Sequence, residues 1–258
     1  MPIPDQLPLS ASPVRQLALD PMEEARKRLI VALDVPSAKA ATELVSRLEN
    51  SCKWFKVGLE LFVATGPKLL ESLTAGGHSV FLDLKFHDIP NTVAGAVRSA
   101  ARLGVRMMTV HASGGPEMLK TACEALDGVT DPPELLAVTV LTSMNAAELK
   151  STGVVESPAE QAVRLARVGM DAGFRGFVCS PQEVASLRTL TGPEGVLVIP
   201  GIRPAGAEIG DQKRIATPAE ALRLGASFLV VGRPITQAAN PAEAAEAILR
   251  QMSGALAH

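Results

Sequence analysis

Short hydrophobic runs alternate with stretches of helical spacing along most of the chain. Eight runs rich in Val, Ile and Leu occur at residues 29–34, 53–58, 79–85, 105–111, 135–141, 176–180, 196–200 and 228–232. The stretches between them, such as 37–49 and 217–225, are rich in Ala, Leu, Glu and Arg and have helical periodicity. This alternation predicts βαβ units and a parallel sheet. Eight repeats indicate that the sheet closes into a single (β/α)8 barrel, the α/β architecture known as the TIM barrel.

An open, doubly wound sheet is the alternative architecture. Such sheets usually have fewer strands, and those that bind a dinucleotide carry a glycine fingerprint in the first turn between strand and helix. The corresponding turn here reads Asp34-Val35-Pro36-Ser37 and contains no glycine. The barrel is therefore favoured.

Two segments fall outside the regular alternation. Residues 1–25 are rich in proline and lack periodicity, so we expect an N-terminal extension, either a tail or an added cap, ahead of a barrel domain at 26–258. The segment from Arg203 to Thr217 is long for a connection between strand and helix and is rich in Gly, Ala and charge. Because active-site lids favour such loops, we expect a lid here, with a plain solvated loop as the alternative.

Composition excludes several classes of partner. The chain is 47% hydrophobic but only 3% aromatic and lacks Tyr, which indicates an aliphatic core and no aromatic platform for stacking bases. A net charge of −2 offers no electrostatic footprint for nucleic acid. No apolar run is long enough to span a membrane and no secretory signal is recognisable, so we expect a cytoplasmic protein without a membrane partner. The three cysteines, Cys52, Cys123 and Cys179, lack paired spacing and are expected to be small buried hydrophobic residues.

Charged residues end several of the apolar runs, where a barrel has its active site. Asp34 ends the first run, Lys56 lies in the second, and Asp83 and Lys85 end the third. Side chains two apart on a strand share a face, so Asp83 and Lys85 point the same way. Together with Asp88 in the following turn, they predict an alternating chain of charge, because buried charges are costly unless they pair. A purely structural salt bridge is the alternative, but coupled charges at a barrel mouth are typical of catalytic sites.

The last two predicted strands are followed by residues suited to binding phosphate. Barrels commonly bind phosphate with the loops after strands seven and eight. Gly201 and Gly232 permit close approach of the backbone, and Arg203 and Arg233 offer fork-shaped cationic donors. Gln212, in the expected lid, offers an amide that would bridge the phosphate and the rest of the ligand. We therefore expect an anionic, phosphorylated ligand.

The segment DLKFHDIPNT at 83–92 resembles the Asp-x-Lys-x-x-Asp signature of the orotidine 5′-phosphate decarboxylases. Further segments resemble this family in the same order, and the likeness covers about residues 28–250. They are LIVALDV with Asp34, FKVGLELF with Lys56, VTVLTSM with Thr142 and Ser143, VIPGIRP with Arg203, GDQKRI with Gln212, and VVGRPIT with Gly232 and Arg233.

The resemblance implies a single (β/α)8 barrel that converts orotidine 5′-phosphate (OMP) to uridine 5′-phosphate (UMP) and CO2 in pyrimidine biosynthesis, with neither cofactor nor metal. It implies that Lys85 is the general acid that protonates pyrimidine C6. Asp83 and Asp88 would hold the Lys85 ammonium and lie close to the departing carboxylate. Asp34 and Lys56 would bind the ribose hydroxyls, and Lys56 would also anchor Asp83.

The remaining implied roles concern the substrate's periphery and the partner subunit. Thr92 would bind the sugar or phosphate end, and Ser143, with Thr142 beside it, would address the polar edge of the base. In this family, Asp88 and Thr92 reach into the partner's site. The resemblance therefore implies a homodimer with shared active sites.

Two histidines lie at or just after the ends of apolar runs. His111 ends the fourth run and is expected to be a supporting, hydrogen-bonded residue rather than a base, while His87 is expected to point away from Asp88.

The nearest competing function is a magnesium-dependent sugar-phosphate decarboxylase or aldolase of the same barrel superfamily. The other competing function is a nucleotide-binding barrel without catalysis. The charged set Lys56, Asp83, Lys85 and Asp88 argues against it, because a protein that only binds has no use for charges aimed at a carboxylate.

Overall fold

The computed structural model describes residues 20–48, 51–204 and 214–257. It has a closed barrel of eight parallel strands in chain order, each pairing with the next and β8 pairing with β1. The strands are β1 Leu29–Ala32, β2 Trp54–Gly58, β3 Ser79–Phe86, β4 Met107–His111, β5 Glu134–Val138, β6 Gly176–Val178, β7 Val196–Ile199 and β8 Phe228–Val231. Each lies within one residue of a hydrophobic run that predicted it or inside that run. The predicted (β/α)8 barrel is confirmed.

Helices follow the strands and surround the barrel. They are α1 Pro21–Arg28, α2 Ala38–Leu48, α3 Leu59–Thr65, α4 Pro67–Ala75, α5 Pro90–Ala101, α6 Gly115–Glu124, α7 Ala146–Ser151, α8 Pro158–Asp171, α9 Val184–Thr191, α10 Pro218–Arg223, α11 Arg233–Thr236 and α12 Pro241–Leu256, with 3-10 turns at Ala112–Gly114 and Pro181–Glu183. Several start at strong local signals. Ser157 and Glu160 form a capping box at the start of α8, with Pro158 as the first helical residue.

Alternate residues of the strands face two different cores. One small cluster fills the barrel and is contributed by strand residues; its members are Ile30, Ala32, Phe81, Met107, Leu136, Val198 and Val230. Their strand neighbours, such as Leu82 and Met108, belong to the larger cluster shared with the surrounding helices. This alternation places the side chains of Asp83 and Lys85 on the same face as Phe81, as the spacing predicts.

Aromatic residues close the barrel at the amino-terminal end of its strands. Trp54 and Phe228 begin β2 and β8, and their rings meet edge to face at 5.4 Å. The barrel interior is thus a packed core, and open space is left at the carboxyl-terminal ends of the strands.

The chain ahead of β1 is partly described. Residues 1–19 of the expected extension lie outside the described residues, but the extension's last residues form the start of α1, which Asp20 caps. Helix α1 packs on α12, with Ala25 fully buried and Arg26 donating to Glu246 at 2.9 Å. Within the described residues, no helix combines the length and the apolar character needed to cross a membrane.

Candidate active site

A cavity of about 560 Å³ opens at the carboxyl-terminal ends of the strands. This volume lies within the usual range for small-molecule sites. Residues within or after β1, β2, β3, β5, β6, β7 and β8 line it: Ala32, Asp34, Val35, Lys56, Phe81, Asp83, Lys85, Val138, Val140, Leu141, Thr142, Val178, Cys179, Pro200, Gly201, Arg203, Val230, Gly232, Arg233, Thr236 and Gln237. The cavity therefore contains most of the candidate residues predicted from the sequence.

Four of the lining side chains form a chain of alternating charge. Lys56 Nζ donates to Asp34 Oδ1 at 2.9 Å and lies 3.7 Å from Asp83 Oδ2. Lys85 Nζ donates to the other oxygen of Asp83 at 2.8 Å. Burial is greatest in the middle, since the side chains of Lys56 and Asp83 are 12% and 13% exposed while that of Asp34 is 59% exposed. The chain thus ends in one ammonium, Lys85, inside the cavity.

Asp83 is ionised in this setting. Burial alone raises its pKa, but the positive charges of Lys56 and Lys85, together with hydrogen bonds from Lys85 and Thr109, outweigh burial and hold the pKa below its ordinary value. The carboxylate therefore stays charged at neutral pH and fixes the Lys85 ammonium.

The wall beside these charges is apolar. Val138, Val178, Val230 and Phe81 line the cavity around its floor. An apolar wall lowers the local dielectric, which strengthens the interaction of Lys85 with any charge that develops nearby. The cavity thus places a fixed cation beside apolar side chains.

Two arginines line the part of the cavity that follows β7 and β8. Gly201 follows β7 with φ of 77°, a left-handed conformation that favours glycine, and Arg203 two residues later is only 7% exposed. Gly232 and the exposed Arg233 follow β8 at the start of α11. Both arginines line the same cavity, as the phosphate prediction requires.

Other predicted site residues lie away from this cavity. Asp88 and Thr92 are exposed, and the Asp88 carboxylate accepts the backbone N–H of Ile89 at 2.6 Å. Asp34, and not Asp88, extends the charge chain beyond Lys56 within one subunit. Thr142 lines the cavity, whereas its neighbour Ser143 is exposed and does not.

The two ends of the predicted lid, 203–204 and 214–217, are described, and the backbone N–H of Arg203 donates to the carbonyl of Ala216 at 3.0 Å. Gln212 and residues 205–213 in general lie outside the described residues.

His111, His87 and Cys179 lie near the charged residues. His111 Nδ1 lies 2.8 Å from Ser113 Oγ and the His111 ring stacks on His87 at 5.4 Å, outside the cavity lining. Burial, and then the charges of His87 and Lys85, lower the pKa of His111. Cys179 lines the cavity, but burial raises the pKa of its thiol, which leaves it unreactive as a nucleophile.

Three features in or next to the cavity were not predicted from the sequence. Thr109 of β4 is fully buried and bonds to both Asp83 and Lys85, and a hydroxyl inside an apolar strand was the available signal. Gln237 lines the cavity one turn after Arg233. Arg214 and Glu183 form a buried ion pair, and Arg214 also donates to the backbone carbonyl of Leu141 at 2.9 Å.

No group of three or more His, Cys, Asp or Glu side chains is arranged to hold a metal ion in the parts of the chain that the structure describes. The fold and the cavity together define a (β/α)8-barrel protein with a charged small-molecule cavity at the carboxyl-terminal ends of its strands. A model of the Orotidine 5′-phosphate decarboxylase / HUMPS family matches residues 27–248, and the chain belongs to this family.

Similar proteins agree with this assignment. The chain is 50% identical over 224 residues to the orotidine 5′-phosphate decarboxylase of Opitutus terrae, covering 87% of this chain and 97% of that one. It is 51% identical over 228 residues to that of Halorhodospira halophila, covering 88% and 97%. A crystal structure of orotidine 5′-phosphate decarboxylase from Lactobacillus acidophilus matches with a TM-score of 0.78 and 39% identity, covering 87% of this chain and 98% of that one. The family predicted from the sequence is confirmed.

Proposed function

We propose that this protein decarboxylates OMP to UMP and CO2 in pyrimidine biosynthesis. The observation that carries the proposal is the Asp34-Lys56-Asp83-Lys85 chain, which ends in an ammonium inside a cavity that Arg203 and Arg233 also line. Relatives about 50% identical over nearly their whole length bear the name of this activity.

Lys85 is proposed as the proton donor. As the bond between C6 and the carboxylate breaks, its electron pair stays on C6 and CO2 departs. The Lys85 ammonium then gives its proton to C6, which yields UMP. The fixed Lys85 cation stabilises the negative charge that develops on C6 in the transition state more than it stabilises the carboxylate of the bound substrate. An interaction that is stronger in the transition state than in the ground state raises kcat.

Asp83 is proposed to hold Lys85 in position and to place a negative charge close to the substrate carboxylate. Its lowered pKa supports an ionised form throughout the neutral range. Asp34 is exposed toward the cavity and Lys56 bonds to it, so both are proposed to bind the ribose hydroxyls. Because these groups are paired before the substrate arrives, little reorganisation is needed during the reaction.

The part of the cavity that follows β7 and β8 is proposed to bind the 5′-phosphate. Arg203 and Arg233 provide planar donors matched to phosphate oxygens, and Gly201 and Gly232 leave the backbone accessible. Thr142, with Ser143 and Gln212, is proposed to recognise the base and its link to the phosphate.

The active site is proposed to be shared between two subunits. Asp88 and Thr92 are exposed and lie outside the cavity of their own subunit, which suits residues that serve a partner. Apolar side chains are exposed in the same sector, after the adjacent strands β2 and β3: Leu59 at 57%, Val63 at 81% and Ile89 at 67%. Burying such residues favours a twofold interface at this edge of the barrel.

The test is an assay of the purified protein with OMP in the presence of a chelator. We expect loss of pyrimidine absorbance and formation of equal amounts of UMP and CO2 without added metal. Turnover of sugar phosphates that depends strictly on magnesium would favour the competing enzyme class. Binding of UMP without any turnover of OMP would favour a nucleotide-binding barrel. Absence of nucleic-acid binding and a cytoplasmic location remain predictions.

A further inference from the structure

Strand β3 departs from regular pairing just where it supplies the charged residues. Leu82 pairs with Met108 and Phe86 pairs with Val110. Between these two pairs, β3 contains Asp83, Leu84 and Lys85, while β4 contains only Thr109. The extra residues form a bulge, a feature that re-aims side chains next to active sites.

Lys85 has an unusual backbone conformation within this bulge. Its φ is 52°, and in the described parts of the chain only Asp131 shares a positive φ among residues other than glycine. A side chain with Cβ adopts this conformation at an energetic cost, so the surrounding structure must hold it there.

Thr109 makes the contacts that meet this need. The backbone N–H of Lys85 donates to Thr109 Oγ1 at 2.8 Å, and the Thr109 hydroxyl donates to Asp83 Oδ1 at 3.1 Å. The same carboxylate oxygen accepts the hydrogen bond from Lys85 Nζ at 2.8 Å. One buried hydroxyl therefore connects the backbone of Lys85 to the carboxylate that holds its ammonium, using its donor and an acceptor lone pair.

We propose that Thr109 is a positioning residue, whose hydroxyl fixes the bulged backbone of Lys85 and the orientation of Asp83 so that the Lys85 ammonium meets C6. This inference rests on the proposed decarboxylation and assigns a further residue to it. Without the hydroxyl, the Lys85 N–H loses its partner inside the barrel and the Asp83 carboxylate loses one of its restraints. The ammonium then samples positions away from the reacting carbon, and such misplacement lowers the rate of the chemical step more than substrate binding.

The test compares Thr109→Val, which removes the hydroxyl at nearly constant volume, with a matched control. Thr139 is also buried, at 1% exposure, but its hydroxyl donates to the backbone carbonyl of Val178 at 2.9 Å and not to a charged side chain. Thr139→Val thus measures the general effect of losing a buried threonine hydroxyl. Thr109→Ser restores the hydroxyl without the methyl group.

We expect kcat for OMP to fall about 10- to 100-fold in Thr109→Val, with KM changed less than about threefold. Thr139→Val should stay within about twofold of the wild type in kcat, and Thr109→Ser should recover most of the loss. Circular dichroism and thermal unfolding establish that each variant is folded. If Thr109→Val does not fold, Thr109→Ala is compared with Thr139→Ala in the same way.

Three results would overturn the inference: equal kcat in the two valine variants, no recovery in Thr109→Ser, or a loss confined to KM. A wild-type protein without OMP turnover would instead overturn the proposed function. The two failures are therefore distinguishable.

Discussion

Replacing Asp83 with Asn tests how much the charge chain contributes to stability. Asp83 and Asp34 both lie within hydrogen-bonding distance of a lysine ammonium, at 2.8 and 2.9 Å. They differ in burial, since the Asp83 side chain is 13% exposed and the Asp34 side chain is 59% exposed. Removing one partner of a buried pair costs roughly 3–5 kcal/mol, whereas an exposed pair contributes about 0–1 kcal/mol. Asp34→Asn is therefore a matched control for Asp83→Asn.

We expect Asp83→Asn to lower the free energy of unfolding by about 3 kcal/mol. This is the lower end of that range, because both lysines that lose the Asp83 carboxylate keep other favourable contacts. Lys56 keeps Asp34 as a partner, and Lys85 is 30% exposed and gains water in the cavity. For a chain of this size the change corresponds to a fall in Tm of about 6 to 12 °C. Asp34→Asn should cost less than about 1 kcal/mol.

The pH dependence follows from the lowered pKa of Asp83. A carboxylate with a lowered pKa in the folded state contributes stability that is fully present above its unfolded pKa, about 3.9, and is lost as the pH falls through the folded value. Urea unfolding should therefore give a constant difference between Asp83→Asn and wild type from about pH 5 to 8 and a smaller one below about pH 4. Equal destabilisation by Asp83→Asn and Asp34→Asn would refute the argument from burial.

Other predictions concern the ligand and the subunits. Arg233→Ala should lower kcat/KM for OMP about 10- to 100-fold and leave the phosphate-free nucleoside nearly unaffected, because charge-assisted hydrogen bonds to phosphate are lost; equal losses for both would contradict the role. Mixing Asp88→Ala with Lys85→Ala after reversible dissociation should restore about a quarter of wild-type activity, since half of the dimers are mixed and each has one intact site. No recovery despite verified subunit exchange would place Asp88 in its own subunit's site. Chelators should leave OMP turnover unchanged, and a fall in rate that added magnesium reverses would contradict the metal-free account.

The barrel could be predicted from the sequence because short apolar strand runs and amphipathic helices differ in their hydrophobic pattern. The alternation of the two occurs eight times along the chain. It also predicted that Asp83 and Lys85 share a face, because side chains two positions apart on a strand point to the same side. The sequence did not predict the bulge after Leu82, because a change of register leaves no periodic signal. Thr109 therefore appeared to be an ordinary strand residue. The contact between Arg214 and Glu183 joins segments distant in the chain, and no spacing rule predicts it.

Resemblance contributed what residue chemistry alone did not. Asp88 lies five residues after Asp83 and is exposed. Within one subunit this exposure suggests no role, and the proposed role of Asp88 depends on a second subunit. The roles proposed for Thr92 and Ser143, which lie outside the cavity, likewise depend on a partner or on a bound ligand. Local sequence patterns carry no information on either.

The most direct test of the account is the kcat of Lys85→Ala for OMP, measured beside its affinity for UMP. We predict that kcat falls to less than about a thousandth of the wild-type value, because the variant lacks both the proton donor and the fixed cation. UMP should still bind, since the groups proposed to hold ribose and phosphate are intact. A variant that keeps more than about a tenth of wild-type kcat would contradict the central role of Lys85.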